Sequence, residues 1–322
     1  MLQTTSRPSL LPGLLVTAAA VALALTVHQL APMLSPAVVA VVAGAVLAGL
    51  GGAGERLLPG LRFVSRRVLR VAIVLLGLQI SVPQVLAMGW RTAAVVLVAT
   101  GATFAITPLI GRQLGLTPGT SLLVATGVSI CGAAAIAAMR DSAGGDDEDA
   151  ANALGVVVLY GSGAIVAVPL LASWLGLSPA QLGVWTGAAV HEVAQVAAIG
   201  AATGVLAAAV TVKLGRVILL APIVALTART RHGDERPPIM PLFVAGFLAM
   251  VALRSTGIVP PLVTQAVPPV TNLLMAAALF GLGTGIDVRR LLGGGRAMLL
   301  GGIATALVGG ISLVCVMILV PA

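Results

Sequence analysis

The chain has 322 residues, of which 59% are hydrophobic and only 9% are charged. A soluble domain carries about 25% charged residues, and the mean hydropathy of +1.11 describes more apolar surface than a water-exposed globule can bury. Composition therefore predicts a polytopic membrane protein and excludes a disordered chain, a disulfide scaffold and a cytosolic enzyme. The net charge of +8 comes from basic residues scattered between apolar runs, so we expect no nucleic-acid partner.

A transmembrane helix needs about 20 mostly apolar residues, and eleven stretches of the chain meet this requirement. In chain order they cover residues 14–31, 36–52, 68–88, 92–110, 118–139, 150–173, 179–203, 210–228, 239–257, 266–287 and 297–320. We number them as predicted spans one to eleven. The predicted fold class is an all-α polytopic membrane protein with about 11 transmembrane helices.

The distribution of Lys and Arg predicts the orientation, because cytoplasmic loops carry an excess of basic residues. Eleven full crossings place thirteen basic residues on the side of the N-terminus and five on the other side. These five are Arg91, Arg140, Lys213, Arg216 and Arg254. We therefore expect a cytoplasmic N-terminus, an external C-terminus and the acidic run 146–149 in an external loop. Lys213 and Arg216 are interpreted as interfacial anchors.

Short matches between the two halves of the chain predict a duplication. Three of them, at offsets of 143, 146 and 151 residues, align spans two, three and five with spans seven, eight and ten. A five-span unit is odd in number, so its second copy would be inverted, as in many secondary transporters. We divide the chain into an extra helix at 1–34 and inverted repeats at 35–175 and 176–322. Another match, Gly-Leu-Thr-Pro at 115–118 with Gly-Leu-Ser-Pro at 176–179, is interpreted as chance.

Each repeat is predicted to contain one broken helix, at about 118–139 and about 266–287, and the two are expected to cross. Unwound backbone at membrane depth must be covered by protein or water, and the free N–H groups of the following half-helix attract anions. The alternative is that the glycines at these breaks only allow close helix packing. The predicted ligand-binding residues are Ser129, Ile130, Cys131, Gly132, Ala133, Gly283, Thr284 and Gly285.

A second polar group lies in span seven, where His191, Glu192 and Gln195 occupy the middle of an otherwise uncharged stretch. Ionisable groups at that depth are costly and mark functional sites by default, so we predict that these residues couple transport to protons. A structural hydrogen-bonded pair between helices is the alternative. The pattern also matches half of the zinc-protease motif His-Glu-x-x-His, but the second histidine is replaced. We therefore expect no metal, no cofactor and no catalytic residue.

Several segments resemble a known family. Gly-Val-Ser-Ile-Cys-Gly-Ala-Ala-Ala-Ile-Ala-Ala at 127–138 and Val-His-Glu-Val-Ala-Gln-Val at 190–196 resemble the signature segments of the YeiH-type family of bacterial inner-membrane proteins. Residues 75–80 and 212–217 resemble its flanking segments, and the similarity covers roughly 35–320. The resemblance implies export of a small sulfur oxyanion such as sulfate or sulfite. It also implies the inverted five-helix repeats of the cation/proton-antiporter and anion-transporter superfamily.

Together, these patterns and the resemblance predict a secondary active transporter in the bacterial inner membrane. We expect a proton-coupled exporter of sulfate or sulfite that works by an elevator type of alternating access. Its expected partners are a small inorganic anion, protons, the lipid bilayer and a second copy of the chain in a homodimer. A cation/proton antiporter that uses Glu192 is the alternative, and an intramembrane hydrolase is a more distant one.

Overall fold

The structure is a computed structural model that describes residues 9–31, 36–51, 54–230, 242–285 and 295–321, and within these ranges all regular structure is helical. A π-helical turn at Val64–Val68 and a 3-10 turn at Gly77–Gln79 flank the helix Leu69–Leu76. The helices are α1 (Leu11–Leu30), α2 (Pro36–Gly49), α3 (Leu58–Phe63), α4 (Leu69–Leu76), α5 (Val82–Ala87), α6 (Gly89–Gln113), α7 (Pro118–Ser129), α8 (Ala133–Ala143), α9 (Asp147–Trp174), α10 (Pro179–Ala189), α11 (Val193–Thr203), α12 (Leu206–Ile218), α13 (Leu220–Thr230), α14 (Leu242–Ser255), α15 (Pro261–Gly283) and α16 (Gly295–Leu319).

The all-helical membrane class is confirmed. Within the described ranges, six helical stretches are long and apolar enough to cross a membrane. They are Leu11–Leu30, Gly89–Gln113, Glu148–Trp174, Leu206–Thr227, Pro261–Gly283 and Gly295–Leu319. The remaining predicted spans are short helices or pairs of helices, and the two broken pairs decide how many of the eleven stretches cross.

The helices α7 and α8 form a re-entrant hairpin. Thr117, which caps α7, donates a 2.6 Å hydrogen bond to Asp149 in the first turn of α9. A Cβ atom on Gly119 would lie 3.1 Å from Cα of Gly145, which follows α8. Because residues at the start of α7 contact residues just after α8, both ends of this unit lie on one side of the bundle. Residues 130–132 form its tip.

The helices α10 and α11 form a second hairpin, which enters from the opposite side. A Cβ atom on Gly183, in the first half of α10, would lie 2.9 Å from Cβ of Ala208, in the first turn of α12 that follows α11. Gln181 donates a 3.1 Å hydrogen bond to the carbonyl of Val320, beyond the end of α16. The 28-residue helix α9 connects the bases of the two hairpins and is long enough to span a bilayer. Residues 190–192 form the second tip.

The two hairpins begin with the same local structure. Gly115 and Gly176 adopt φ values of +71° and +64°, and in both cases the next leucine N–H bonds back at 3.0 Å to the carbonyl five residues earlier. This is a glycine helix stop. Thr117 and Ser178 then cap α7 and α10, each with proline at the first helical position. The match between these segments, interpreted above as chance, is the one that marks the hairpins.

The break predicted at 281–285 in span ten falls on the end of a helix, and residues 286–294 after it lie outside the described residues. The helix α15 continues without interruption to Gly283, so Thr284 and Gly285 lie at its C-terminal end. A Cβ atom on Gly283 would overlap the carbonyl oxygen of Val41 in α2, which means that close helix packing, the alternative considered above, explains this glycine. The second break lies in span seven instead. The repeat boundaries at 35–175 and 176–322 stay a prediction.

The hairpins also correct the predicted distribution of charge. Because α8 returns to the side where α7 starts, Arg140 and the acidic run 146–149 lie on the same side as the end of α6, not across the membrane from it. Lys213 and Arg216 are fully buried, so their interpretation as interfacial anchors is wrong. Among the five basic residues predicted for the opposite side, only Arg91 and Arg254 remain there. The predicted loop positions 231–236 and 289–290 lie outside the described residues.

The hairpins form the centre of the bundle. Small apolar residues that face each other on α7, α8 and α9, such as Val128, Ala135 and Val156, have no exposed surface. The last helix, α16, packs across this centre, and the indole N–H of Trp185 in α10 donates a 2.9 Å hydrogen bond to the carbonyl of Gly309. Small residues let helix backbones approach closely in a bilayer.

Cysteine labelling with an impermeant reagent tests the hairpins, with the unsubstituted chain as the blank. We expect Gln113→Cys and Glu148→Cys, which flank α7–α8, to react from one side of the membrane. Ser173→Cys and Ala202→Cys, which flank α10–α11, should react from the other side. Reaction of Gln113→Cys and Glu148→Cys from opposite sides would mean that α7–α8 crosses the bilayer.

Candidate functional site

The two hairpin tips meet at buried cationic side chains from α12. The ammonium group of Lys213 donates hydrogen bonds to the carbonyls of Ile130, at 2.8 Å, and Val190, at 2.7 Å. One carbonyl belongs to the first tip and the other to the second tip. Lys213 therefore joins two chain segments that enter the bundle from opposite sides.

Arg216, one turn further along α12, completes this connection. Its Nε donates to the carbonyl of Ser129 at 2.5 Å, and its Nη1 donates to the carbonyls of Ala188 and Val190 at 2.6 and 3.1 Å. Its Nη2 donates to the carbonyl of Val128. The guanidinium group thus holds the C-terminal ends of both α7 and α10.

These contacts satisfy groups that the breaks leave unpaired. The last carbonyls of a helix have no partner within the helix and carry a partial negative charge, and an unpaired polar group in the bilayer core costs several kcal/mol. Lys213 and Arg216 supply both the donors and the opposite charge. The sequence did contain a signal for this pairing role, since two cations three residues apart share one face of an otherwise uncharged span.

The N-terminal, partially positive ends of the returning helices α8 and α11 face a cavity on the other side of the tips. This central cavity has a volume of about 90 Å³, enough for several water molecules. The first turns of α8 and α11, whose N–H groups have no helical acceptor, both line it. Its lining residues are Pro36, Leu76, Gln79, Cys131, Ala133, Ala134, Glu192, Val193, Ala194, Thr271, Asn272, Met275 and Leu279.

Glu192 lies between the two hairpins. Its carboxyl group lines the central cavity close to the backbone N–H of Ala133, the first residue of α8. Gly132 has φ +77° and ψ −134°, and a Cβ atom there would lie 2.6 Å from Cγ of Glu192. Glycine is needed at this position both for its backbone conformation and for space. The carboxyl group of one tip therefore occupies the N-terminal end of the other hairpin's returning helix.

His191 and Gln195 support the second tip from behind. The side-chain oxygen of Gln195 accepts a 3.0 Å hydrogen bond from the backbone N–H of Glu192. The ring Nε2 of His191 lies 3.3 Å from the hydroxyl of Thr305 in α16. Both side chains are fully buried, and neither lines the central cavity. Of the three residues predicted to couple protons, only Glu192 reaches the cavity.

The structure divides the predicted ligand-binding residues into three groups. Cys131 and Ala133 line the central cavity, and Gly132 lies between them at the tip. Ser129 and Ile130 are fully buried, and their carbonyls bind the cations of α12. The segment Gly283–Gly285 does not line the central cavity. Its predicted place opposite the first tip is therefore wrong.

Three polar residues of the cavity were not predicted. Gln79 ends the 3-10 turn that interrupts predicted span three, and Thr271 and Asn272 lie on α15. The sequence signal for Gln79 and Asn272 was an uncharged amide in the middle of an apolar stretch. Amides and hydroxyls are common in membrane helices as packing contacts, so the signal alone did not indicate a ligand site.

Fold and site together define a polytopic helical membrane protein in which two re-entrant hairpins place helix ends around a buried cavity. The family described as Conserved hypothetical protein 698 matches residues 8–301. The chain is 40% identical over 291 residues to a UPF0324 membrane protein of Corynebacterium glutamicum, with 87% of this chain and 84% of the relative covered.

Other relatives carry the same family name. A UPF0324 membrane protein of Brucella melitensis is 34% identical over 324 residues, covering 95% of this chain and 90% of the relative. The UPF0324 membrane protein TauZ of Paracoccus denitrificans is 35% identical over 298 residues, covering 85% and 86%. The chain therefore belongs to the UPF0324 family, which confirms the YeiH-type resemblance. No solved structure matches the chain.

Removal of the Arg216 guanidinium group should destabilise the hairpin tips. Arg216→Met leaves buried carbonyls without donors, and we expect it to lower the free energy of unfolding by about 3 kcal/mol or more. The control Thr211→Ala removes only a local hydrogen bond on the same helix and should change it by about 0.5 kcal/mol or less. The midpoint of thermal unfolding in detergent measures both; equal midpoints would mean that Arg216 does not hold the tips.

A methyl group at Gly132 should also be costly. Gly132→Ala forces a side chain into a backbone region that glycine favours, at about 1–3 kcal/mol, and brings Cβ against Glu192. Combination with Glu192→Ala should recover the steric part of the loss but not the backbone part. The control Gly163→Ala in α9 meets open space and should leave the unfolding midpoint equal or higher. Strictly additive losses in the double variant would contradict the contact.

Proposed function

We propose that this protein is a secondary active transporter that moves a small sulfur oxyanion, such as sulfate or sulfite, out of the cytoplasm. The observation that carries the proposal is that the first turns of α8 and α11 line one cavity at the meeting point of two hairpins. Helix N-termini at membrane depth are a recurrent way of holding anionic substrates in transporters.

The charge distribution supports an anion. Lys213 and Arg216 lie behind the tips and place two cations near the cavity, although their donors bind carbonyl groups. The N–H groups on the cavity side that Glu192 does not occupy then remain for a ligand, together with the side chains of Gln79 and Asn272. These uncharged N–H donors favour an ion with many hydrogen-bond acceptors. The choice of a sulfur oxyanion rests on the YeiH-type resemblance.

Glu192 would couple the anion to protons by competition. Its ionised carboxylate and a bound oxyanion need the same N–H group of Ala133, and two negative charges in one small cavity repel each other. Protonation of Glu192 removes the repulsion and frees that donor. Binding of the anion then accompanies binding of a proton. His191 and Gln195 would hold the tip in position during this exchange.

The hairpins supply a body for alternating access of elevator type. They pack on α9 and α16, and the central cavity separates their tips from α2, α4 and α15. We place the protein in the bacterial inner membrane with the N-terminus in the cytoplasm, the C-terminus outside and a second copy as its homodimer partner. Nine crossings and two re-entrant hairpins replace the eleven crossings expected above.

A cation/proton antiporter is the second candidate. It is favoured by one observation, that Glu192 is the only carboxylate among the described residues that line the central cavity. A carboxylate in a cavity is also a cation ligand. For the more distant hydrolase, the described part of the chain contains no group of three or more His, Cys, Asp or Glu residues that could hold a metal ion.

Uptake of radiolabelled sulfate or sulfite into proteoliposomes under a pH gradient tests the proposal. We expect the wild-type protein to accumulate anion, and Glu192→Gln to exchange anion at equal pH but to lose accumulation driven by the gradient. The control Glu148→Gln removes an exposed carboxylate at the start of α9 and should behave as wild type.

The other outcomes separate the candidates. Proton movement that depends on sodium, lithium or potassium and not on anion would favour the antiporter. Full pH-driven accumulation by Glu192→Gln would remove this residue from coupling, and absence of anion movement in the wild type would remove the proposed function.

A further inference from the structure

The central cavity presents hydrogen-bond acceptors as well as donors. The carboxyl group of Glu192, which is only 7% exposed, lines it. Thr271 also lines it, but its hydroxyl group donates its one proton at 2.8 Å to the carbonyl of Val267 on its own helix. The hydroxyl oxygen therefore offers only lone pairs to a ligand, as an ionised carboxylate does.

These acceptors do not suit an anion that carries no proton. Near neutral pH the oxygens of sulfate only accept hydrogen bonds, so a site for sulfate needs donors on every side. A sulfate oxygen that faced Glu192 or Thr271 would meet another acceptor, and the double charge of sulfate would repel an ionised carboxylate. No Lys or Arg occurs among the described residues that line the cavity to offset this repulsion. Sulfate can therefore bind well only after Glu192 has taken up a proton from solution.

The charged and titratable groups around Glu192 do not replace this proton. Lys213 and Arg216 donate to backbone carbonyls of both tips, and neither lines the cavity. Cys131 lines the cavity with a thiol, which is only a weak donor. His191 is buried behind its own tip. The described residues of α2, α4, the 3-10 turn and α15 that line the cavity include no titratable side chain.

We propose that the central cavity selects a sulfur oxyanion that still carries a proton, hydrogen sulfite, over sulfate, and that Glu192 makes this selection. The proposal rests on the transport function proposed above and narrows its substrate. Sulfite takes up a proton near neutral pH, whereas sulfate does not. The O–H group of hydrogen sulfite donates to the carboxylate of Glu192, and its other oxygens accept from the amides of Gln79 and Asn272 and from the first turns of α8 and α11. Anion and proton then enter the site together.

A buried acceptor gives stronger selectivity than the size of the cavity does. Sulfite and sulfate differ by a single oxygen atom, so a cavity of about 90 Å³ separates them weakly by volume. A site that is built to hydrogen-bond a ligand O–H group rejects an analogue that lacks it by a much larger factor, because the buried polar group is then left unpaired. Glu192 is the residue in the cavity that meets this condition most strongly, since its acceptor is charged.

Calorimetric binding of three anions to the purified full chain tests the selection without transport. The protein is kept in neutral detergent, without oxygen and at equal ionic strength, at a mildly acidic pH at which sulfite is protonated. The anions are sulfite, sulfate and chlorate. Chlorate has the pyramidal shape of sulfite and one negative charge but no proton, so it separates the effect of the proton from those of shape and charge. We expect the wild-type protein to bind sulfite about tenfold or more tightly than sulfate and chlorate.

Two variants of the cavity assign the effect to the acceptor. Glu192→Gln replaces the carboxylate by an amide, which also donates, and we expect the preference for sulfite over sulfate to fall about tenfold. Such a variant exchanges anion without its proton, in agreement with the loss of pH-driven accumulation expected above. Asn272→Ala removes a donor that every oxyanion uses, so it should weaken all three anions by similar factors and keep their wild-type ratios.

The comparison of anions on the wild-type protein decides the proposal even where a variant fails to fold. Sulfate or chlorate that bound the wild type as tightly as sulfite would overturn it. Wild-type ratios in a Glu192→Gln protein with an unchanged unfolding midpoint would overturn the role of this residue.

The two proposals fail separately. Selective binding of sulfite by a protein that moves no anion in proteoliposomes would keep the selection and remove the transport function. Transport of sulfate by a protein that binds sulfate and sulfite equally would keep the transport function and remove the selection. A wild-type protein that bound none of the three anions would contradict both.

Discussion

A helix that breaks inside a membrane leaves carbonyl groups that water cannot reach, and the pairing of these groups determines the centre of this protein. The C-terminal ends of α7 and α10 share one pair of partners, Lys213 and Arg216, which come from a single turn of α12. Each cation bonds to carbonyls of both hairpins. The hairpins, which enter from opposite sides, are thereby fixed tip to tip at one depth.

This pairing also sets the polarity of the site. Since the carbonyl ends are neutralised from behind, the N-terminal ends of α8 and α11 face the central cavity. The carboxyl group of Glu192 lies between them, close to Gly132 and Ala133 of the other hairpin. The helix ends of both hairpins and the Glu192 side chain therefore meet at one cavity.

Parts of the site could be predicted because their signals are local. The break near Gly132 and the carboxylate of Glu192 are conspicuous in an apolar chain, and both lie at the central cavity. Gln79 and Asn272 could not be predicted, since they meet the hairpin tips only through packing between distant segments. Gly283 misled the prediction for the converse reason: a glycine that allows α15 to approach Val41 has the same local pattern as a glycine that interrupts a helix.

The sequence by itself determined the all-helical membrane class and the family, because hydropathy and signature segments are properties of neighbouring residues. Whether each broken stretch crosses the helix bundle or turns back was decided only by the tertiary structure. A broken apolar stretch of some 25 residues has the same hydropathy whether it crosses the bilayer or turns back. The contact of Thr117 with Asp149 shows that the first such stretch turns back, and this return leaves Arg140 on the side where α7 begins. Long-range contacts of this kind leave no trace in local composition.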